Sequence, residues 1–86
     1  MWLVELAFDD SPERLEARPA HREKLDGLKA KGLVRMAGPL ADDSGAVLVF
    51  DTDDCAELDG PLADDPYFSI TGVVVERVRE WRPFLA

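Results

Sequence analysis

Both ends of the chain alternate with period two, and this limits the fold more than any other feature. Trp2, Val4, Leu6 and Phe8 share one side of a strand, with Leu3, Glu5 and Ala7 on the other. At the far end, Gly72 to Pro83 sets Val73, Val75, Arg77, Arg79 and Trp81 against Val74, Glu76, Val78, Glu80 and Arg82. With 86 residues in all, the chain makes one domain. Its core is thin, because folding at this size hides only about 60–65% of the unfolded surface. The second face of the first strand is also largely apolar, as expected of a sheet face that meets another subunit.

Between these strands the pattern changes to that of a helix. Asp9-Asp10-Ser11-Pro12-Glu13 reads as a helix start, with Ser11 as N-cap, Pro12 at the first position and Glu13 at the positive end of the dipole. Pro19 is expected to break this helix into a short turn near 12–17 and a longer helix that Pro19 opens, runs to about Lys31 and ends at Gly32. Along the longer helix His21, Leu25 and Leu28 follow i, i+4, i+7, which points the imidazole inward with the leucines.

Leu33 to Leu40 is a second strand, and its Gly38-Pro39 pair assigns it to a sheet edge, since proline donates nothing to a central ladder. Asp42-Asp43-Ser44-Gly45 supplies turn chemistry, and Ala46-Val47-Leu48-Val49-Phe50 is a short apolar run suited to a buried central strand. Asp51-Thr52-Asp53-Asp54 is expected to cap a second helix over about 53–59, interrupted by Gly60-Pro61, with a last turn near 62–64. The order is βαββαβ, a pair of split βαβ units whose usual solution is a four-stranded antiparallel sheet with two helices on one face, an α+β fold.

Charge narrows the function. Residues 1–35 hold seven basic and seven acidic side chains, residues 36–76 ten acidic and no basic, and residues 77–86 three basic and one acidic, for a net charge of −8. An acidic middle without cations argues against nucleic acid and against anionic membrane surfaces, and reads as a solvated face. No apolar run approaches the roughly 18 residues of a membrane span. Met1-Trp2-Leu3-Val4-Glu5 lacks the basic start of a signal peptide, and a single cysteine forms no internal disulfide, so a cytoplasmic location is expected.

The chemistry centres on His21, the one histidine, in Arg18-Pro19-Ala20-His21, with a carboxylate counterpart in Asp64-Asp65-Pro66-Tyr67. A neutral imidazole held by a carboxylate through one nitrogen has the other free to take a proton. Adjacent Asp64 and Asp65 are rivals for that carboxylate, and Asp-Pro-Tyr is also ordinary turn chemistry. Arg18 either binds a substrate anion or pairs with Glu16 or Glu23, the pairing being favoured. Tyr67 either donates to a developing oxyanion or packs at the pocket rim, packing being favoured.

Other constellations fail. Nucleophilic catalysis by Cys55 needs a base or a positive charge nearby, and its neighbours are Asp53, Asp54 and Glu57. The 51–54 run begins like a calcium loop, but Ala56 stands where glycine is needed and Leu62 where glutamate is needed. One histidine and one cysteine do not make a zinc site, and the glycines form no phosphate cradle. Neither metal nor cofactor is expected.

Four motifs in order, Arg18-Pro19-Ala20-His21, Ala37-Gly38-Pro39-Leu40, Asp65-Pro66-Tyr67 and Arg82-Pro83-Phe84, resemble the successive signatures of the YciI-like (YCII-related) family over nearly the whole chain. The resemblance implies a ferredoxin-like domain of the dimeric α/β-barrel type, a homodimer through the open sheet face, and a His–Asp pair in a pocket between helices and sheet. Those positions fall on His21 and Asp65, with Arg18, Gly38, Pro39 and Tyr67 as substrate-binding neighbours. Gly60-Pro61 falls in a segment that is usually a continuous helix in the family. Two functions follow: a small dimeric enzyme using His21 and Asp65 to eliminate, isomerise or hydrolyse a small polar or aromatic molecule, or a dimeric module that binds a metabolite without turnover.

Overall fold

A computed structural model describes residues 1–86. The order is β1 (Trp2–Phe8), α1 (Pro12–Ala30), β2 (Val34–Pro39), β3 (Gly45–Phe50), a 3-10 turn (Cys55–Leu58), α2 (Asp59–Asp64), a second 3-10 turn (Pro66–Ser69) and β4 (Val73–Glu80). The strands form one sheet in the order β2-β3-β1-β4, every neighbouring pair antiparallel. This is the ferredoxin-like α+β arrangement. Its central strands are the apolar runs at residues 2–8 and 45–50, and the strand containing Gly38-Pro39 is an edge.

Val4 and Leu6 of β1, Ala46, Leu48 and Phe50 of β3, and Val34 of β2 meet Leu28 of α1, Leu58 and Tyr67 in one buried cluster. Leu3, Glu5 and Ala7 are paired with Val49, Val47 and Gly45 on the other face. Gly45 is required where it stands, because a Cβ there would run into the Leu6 carbonyl. Gly72, at φ +99, makes the turn into β4 in a conformation that other residues rarely adopt. No helix is long and apolar enough to cross a membrane.

Three local expectations need correction. Pro19 does not divide the first helical region, since α1 is one helix of 19 residues that passes through it. The amide that proline lacks would have bonded to the carbonyl of Leu15, and both residues are exposed, so water can satisfy that carbonyl. The turns on either side are each anchored, through Arg14 on one and through His21 and Leu28 on the other, all three buried.

Gly60-Pro61 does not interrupt a helix over 53–59. The 3-10 turn at Cys55–Leu58 runs into α2, and Gly60 and Pro61 lie in the first turn of α2, where backbone amides have no helical acceptor to lose.

The strict alternation expected in the last strand also fails. Leu6 pairs with Val75 but Glu5 pairs with Arg77, so the register shifts at Glu76. Val73 and Val75 therefore lie opposite Phe8 and Leu6, whereas Arg77 and Arg79 lie opposite Glu5 and Leu3 on the other face, where Arg79 Nη2 is 3.3 Å from Glu5 Oε2. Ser11 is the N-cap residue of α1 but caps no amide; its hydroxyl donates to the Glu13 carboxylate and lies 3.2 Å from the Thr71 carbonyl.

Candidate active site

The helical stripe predicted from His21, Leu25 and Leu28 extends one further step toward the amino end, to Arg14 and Arg18. His21 is 5% exposed and lies at the middle of α1. Across from it, Asp65 follows the last residue of α2 and caps the second 3-10 turn, its Oδ1 accepting the Tyr67 amide at 2.9 Å. The same carboxylate receives Nδ1 of His21, at 2.8 Å to Oδ1 and 2.7 Å to Oδ2. The turn role and the histidine contact thus coexist in one side chain.

Asp64, the rival, is 71% exposed and pairs with Lys24 Nζ at 3.6 Å. The chain turns between the two aspartates: Asp64 is the last helical residue of α2, whereas Asp65 is extended, with φ −80 and ψ 127. Two adjacent carboxylates are thereby sent in different directions.

Because a carboxylate only accepts, the shared proton in the neutral ring resides on Nδ1, which leaves the Nε2 lone pair available. The Tyr67 ring stacks on the imidazole at 3.7 Å between centroids and 8° between planes. Phe8 meets Tyr67 edge-on at 5.8 Å, and the guanidinium of Arg14 sits 4.4 Å above the centroid of Phe8. The ring of His21 is thus held by a hydrogen bond at its edge and an aromatic face against its own, and has little freedom to turn.

His21 and Tyr67 line a cavity of about 350 Å³ between α1 and the β2–β3 hairpin. Gly38 and Pro39 lie on its strand wall, and Arg18 on its helix wall. All the residues named from sequence as site positions come together here except Asp65, which stands behind His21. The expected pairing of Arg18 with Glu16 or Glu23 is not found. Its Nη2 is 3.4 Å from Asp43 Oδ2, because Arg18 shares the inward stripe with His21 whereas both glutamates are on exposed positions.

Two residues of the cavity were not singled out from sequence. Arg14 is 4% exposed and bonds through Nη2 to Asp43 at 3.2 Å. The spacing of Arg14, Arg18 and His21, again i, i+4, i+7, is the signal that reveals it. Asp43 adopts the left-handed conformation at φ 58 in the hairpin turn and brings its carboxylate to both arginines. Beside it Asp42 accepts from the amide and hydroxyl of Ser44, which holds its carboxyl below the usual range.

Such a site has the parts for proton transfer: an imidazole with a fixed tautomer, a buried carboxylate able to stabilise the imidazolium, and room for a small molecule. The YCII-related domain family matches the chain over residues 1–82. A solved structure, that of 5-chloro-2-hydroxyhydroquinone dehydrochlorinase from Burkholderia phenoliruptrix in complex with 2,5-dihydroxybenzoquinone, is similar with a TM-score of 0.72 and 21% identity, covering 95% of this chain and 94% of that one. At that identity the likeness bears on the fold. No curated protein matches the chain.

Proposed function

Since the chain belongs to the YCII-related domain family, we propose that it is a small enzyme in which His21 is the general base and Asp65 its orienting partner, acting on a small polar or aromatic molecule. The observation that carries this reading is the buried Nδ1–carboxylate contact, which orients an imidazole that also lines a cavity. Nε2 takes a proton from the substrate, and Asp65 stabilises the imidazolium.

The structural neighbour is a dehydrochlorinase, and elimination suits this arrangement: the C–H or O–H electron pair shifts to form the new double bond, the leaving group departs with its pair, and the imidazolium returns its proton to water. Isomerisation and hydrolysis use the same first transfer. Arg18, Gly38, Pro39 and Tyr67 form the substrate-binding walls in this reading, with Tyr67 acting through its ring. A screen of the purified protein against small phenols, lactones and haloaromatics is expected to give turnover that His21→Gln abolishes. Binding without turnover in all three classes would instead favour a ligand-binding module.

The protein acts as a homodimer through the open sheet face in the same proposal. Support comes from Val49, buried on that face with Leu3 beside it, and from Met36, Val74 and Trp81, which are large, apolar and exposed. Light scattering at micromolar concentration is expected to give twice the chain mass; a stable monomer rules the dimer out.

A further inference from the structure

Arg14 is the charged group in the cavity wall that proton transfer at His21 does not use. Its guanidinium is fixed on three sides. Nε donates to the Asp9 carbonyl at 3.3 Å, Nη2 to Asp43 Oδ2 at 3.2 Å, and one face rests on Phe8. Nη1 is buried without any partner. A charged donor held rigidly, stripped of water and given nothing to bond is costly unless something supplies an acceptor. Arg14 lines the same cavity as His21.

The surroundings agree on the sign of the missing partner. In a chain of net charge −8, this cavity is lined by Arg14, Arg18, Arg22 and Lys29 against Asp26 and Asp43. Asp43 offers one oxygen to both Arg14 and Arg18, so the two guanidinium groups are only half neutralised. Along α1, Arg14 lies seven residues from His21, about 10 Å of helix axis. The two groups are joined along the cavity by the rings of Tyr67, stacked on His21, and Phe8, under Arg14.

We infer that Arg14 binds the acidic group of the ligand: a carboxylate on a ring-sized molecule, bonded to the Arg14 guanidinium with Arg18 beside it, and the rest of the molecule extending toward His21. A carboxylate has two oxygens in one plane, one for each arginine, and charge-assisted bonds to it are the strong class. This deepens the acid–base reading, on which it rests only for which end of the ligand reacts; the anion site itself requires nothing of His21.

The test uses benzoate and its uncharged counterpart benzyl alcohol with the unaltered protein, followed by NMR of the arginine side chains. Benzoate is expected to shift the Arg14 resonances and to bind about tenfold or more tightly than benzyl alcohol. Equal affinities, benzoate binding that leaves Arg14 unshifted, or no binding at millimolar benzoate each overturn the inference. Arg14→Gln is expected to remove the preference for benzoate. Because that change also cuts the ties to Asp9 and Asp43, Arg18→Gln at a half-exposed position is the second variant, expected to reduce the preference several-fold, and an unchanged preference there contradicts the bridging geometry. The two readings separate cleanly. Benzoate held by His21→Gln protein that never shows turnover keeps the anion site and removes the enzyme; turnover on neutral substrates, indifferent to Arg14, does the reverse.

Discussion

The two connections that cover the sheet are built on opposite principles. α1 is a single helix of 19 residues, fixed by a stripe of side chains, of which Arg14, His21 and Leu28 are buried. The second connection passes through a 3-10 turn, six residues of α2 and another 3-10 turn. None of the α2 residues is buried. Apart from Leu58 and Tyr67, buried one in each 3-10 turn, what holds this connection are individual bonds from side chain to backbone: Asp54 accepts from the Ala56 amide at 3.0 Å, Thr52 from the Asp54 amide at 3.2 Å, and Asp65 from the Tyr67 amide at 2.9 Å. Packing distributed over a long helix survives the loss of one contact; a turn held by one carboxylate does not. The candidate site takes His21 from the first kind of element and Asp65 from the second, so its geometry is only as firm as the capping bond at Asp65.

The largest expected effect follows from that. Asp65→Ala removes both the cap of the second 3-10 turn and the partner of a buried imidazole, and should cost roughly 3 kcal/mol in urea unfolding. Asp64→Ala, one residue away and exposed, should stay within about 0.5 kcal/mol. Comparable losses at the two positions would mean that the second connection is held by its charge as a whole rather than by one bond. For any activity found, changes at His21 and Asp65 should be non-additive, since an orienting carboxylate has no task once the base is gone.

Pro19 tests the opposite claim, that α1 tolerates a missing bond. A proline inside a helix costs about 3 kcal/mol relative to alanine, against about 0.4–1 kcal/mol that it contributes by restricting the unfolded chain. Pro19→Ala should therefore stabilise the protein by about 2–2.6 kcal/mol and leave the His21–Asp65 contact in place. A displaced imidazole in the crystal structure of the variant would show that Pro19 sets the aim of His21 after all.

Sequence carried the fold further than it carried the helices. The four strands and the edge position of β2 were legible because alternation and Gly38-Pro39 are local signals tied directly to burial and to a missing donor. The continuity of α1 was not, because whether Pro19 breaks a helix depends on contacts of Arg14, His21 and Leu28 with a sheet formed elsewhere in the chain. The switch of faces in β4 was hidden for a similar reason: a bulge at Glu76 is a property of the pairing with Glu5 and Leu6, and β4 alone reads as a plain alternation. In the cavity, His21 announced itself as the sole histidine on an apolar stripe. Arg14 did not, since an arginine at a helix start looks solvated until Phe8 and Asp43 are brought around it.

A smaller effect should sharpen the contrast from the weak side. Gly60 lies in α2 with open space where a Cβ would be, and its backbone is not in the left-handed region. Gly60→Ala gains about 0.5–1 kcal/mol from fewer unfolded conformations, but the new Cβ meets the Cδ of Pro61 in the helical conformation, so the net change should stay within about 0.5 kcal/mol of zero. Calorimetry showing a gain of about 1 kcal/mol would mean that the helical backbone at Gly60 accommodates the contact with Pro61 without strain.

The smallest expected effect lies at the start of α1, where the helix does depend on a single local bond. Ser11 donates its hydroxyl to the Glu13 carboxylate, and that bond holds the Glu13 carboxyl below its ordinary value of 4.5. A group whose pKa is lowered by folding stabilises the folded state only while it is ionised in that state. The contribution is therefore complete above pH 4.5 and disappears as the pH falls through the lower folded value. Glu13 is fully exposed, so water and salt screen much of the gain. Urea midpoints measured from neutral pH down past this window should fall slightly more steeply for the unaltered protein than for Glu13→Gln, and the difference should shrink in high salt. Parallel curves would mean that the first turn of α1 is secured by packing and by Pro12 alone, which would make the regularity of this helix still less dependent on any one bond.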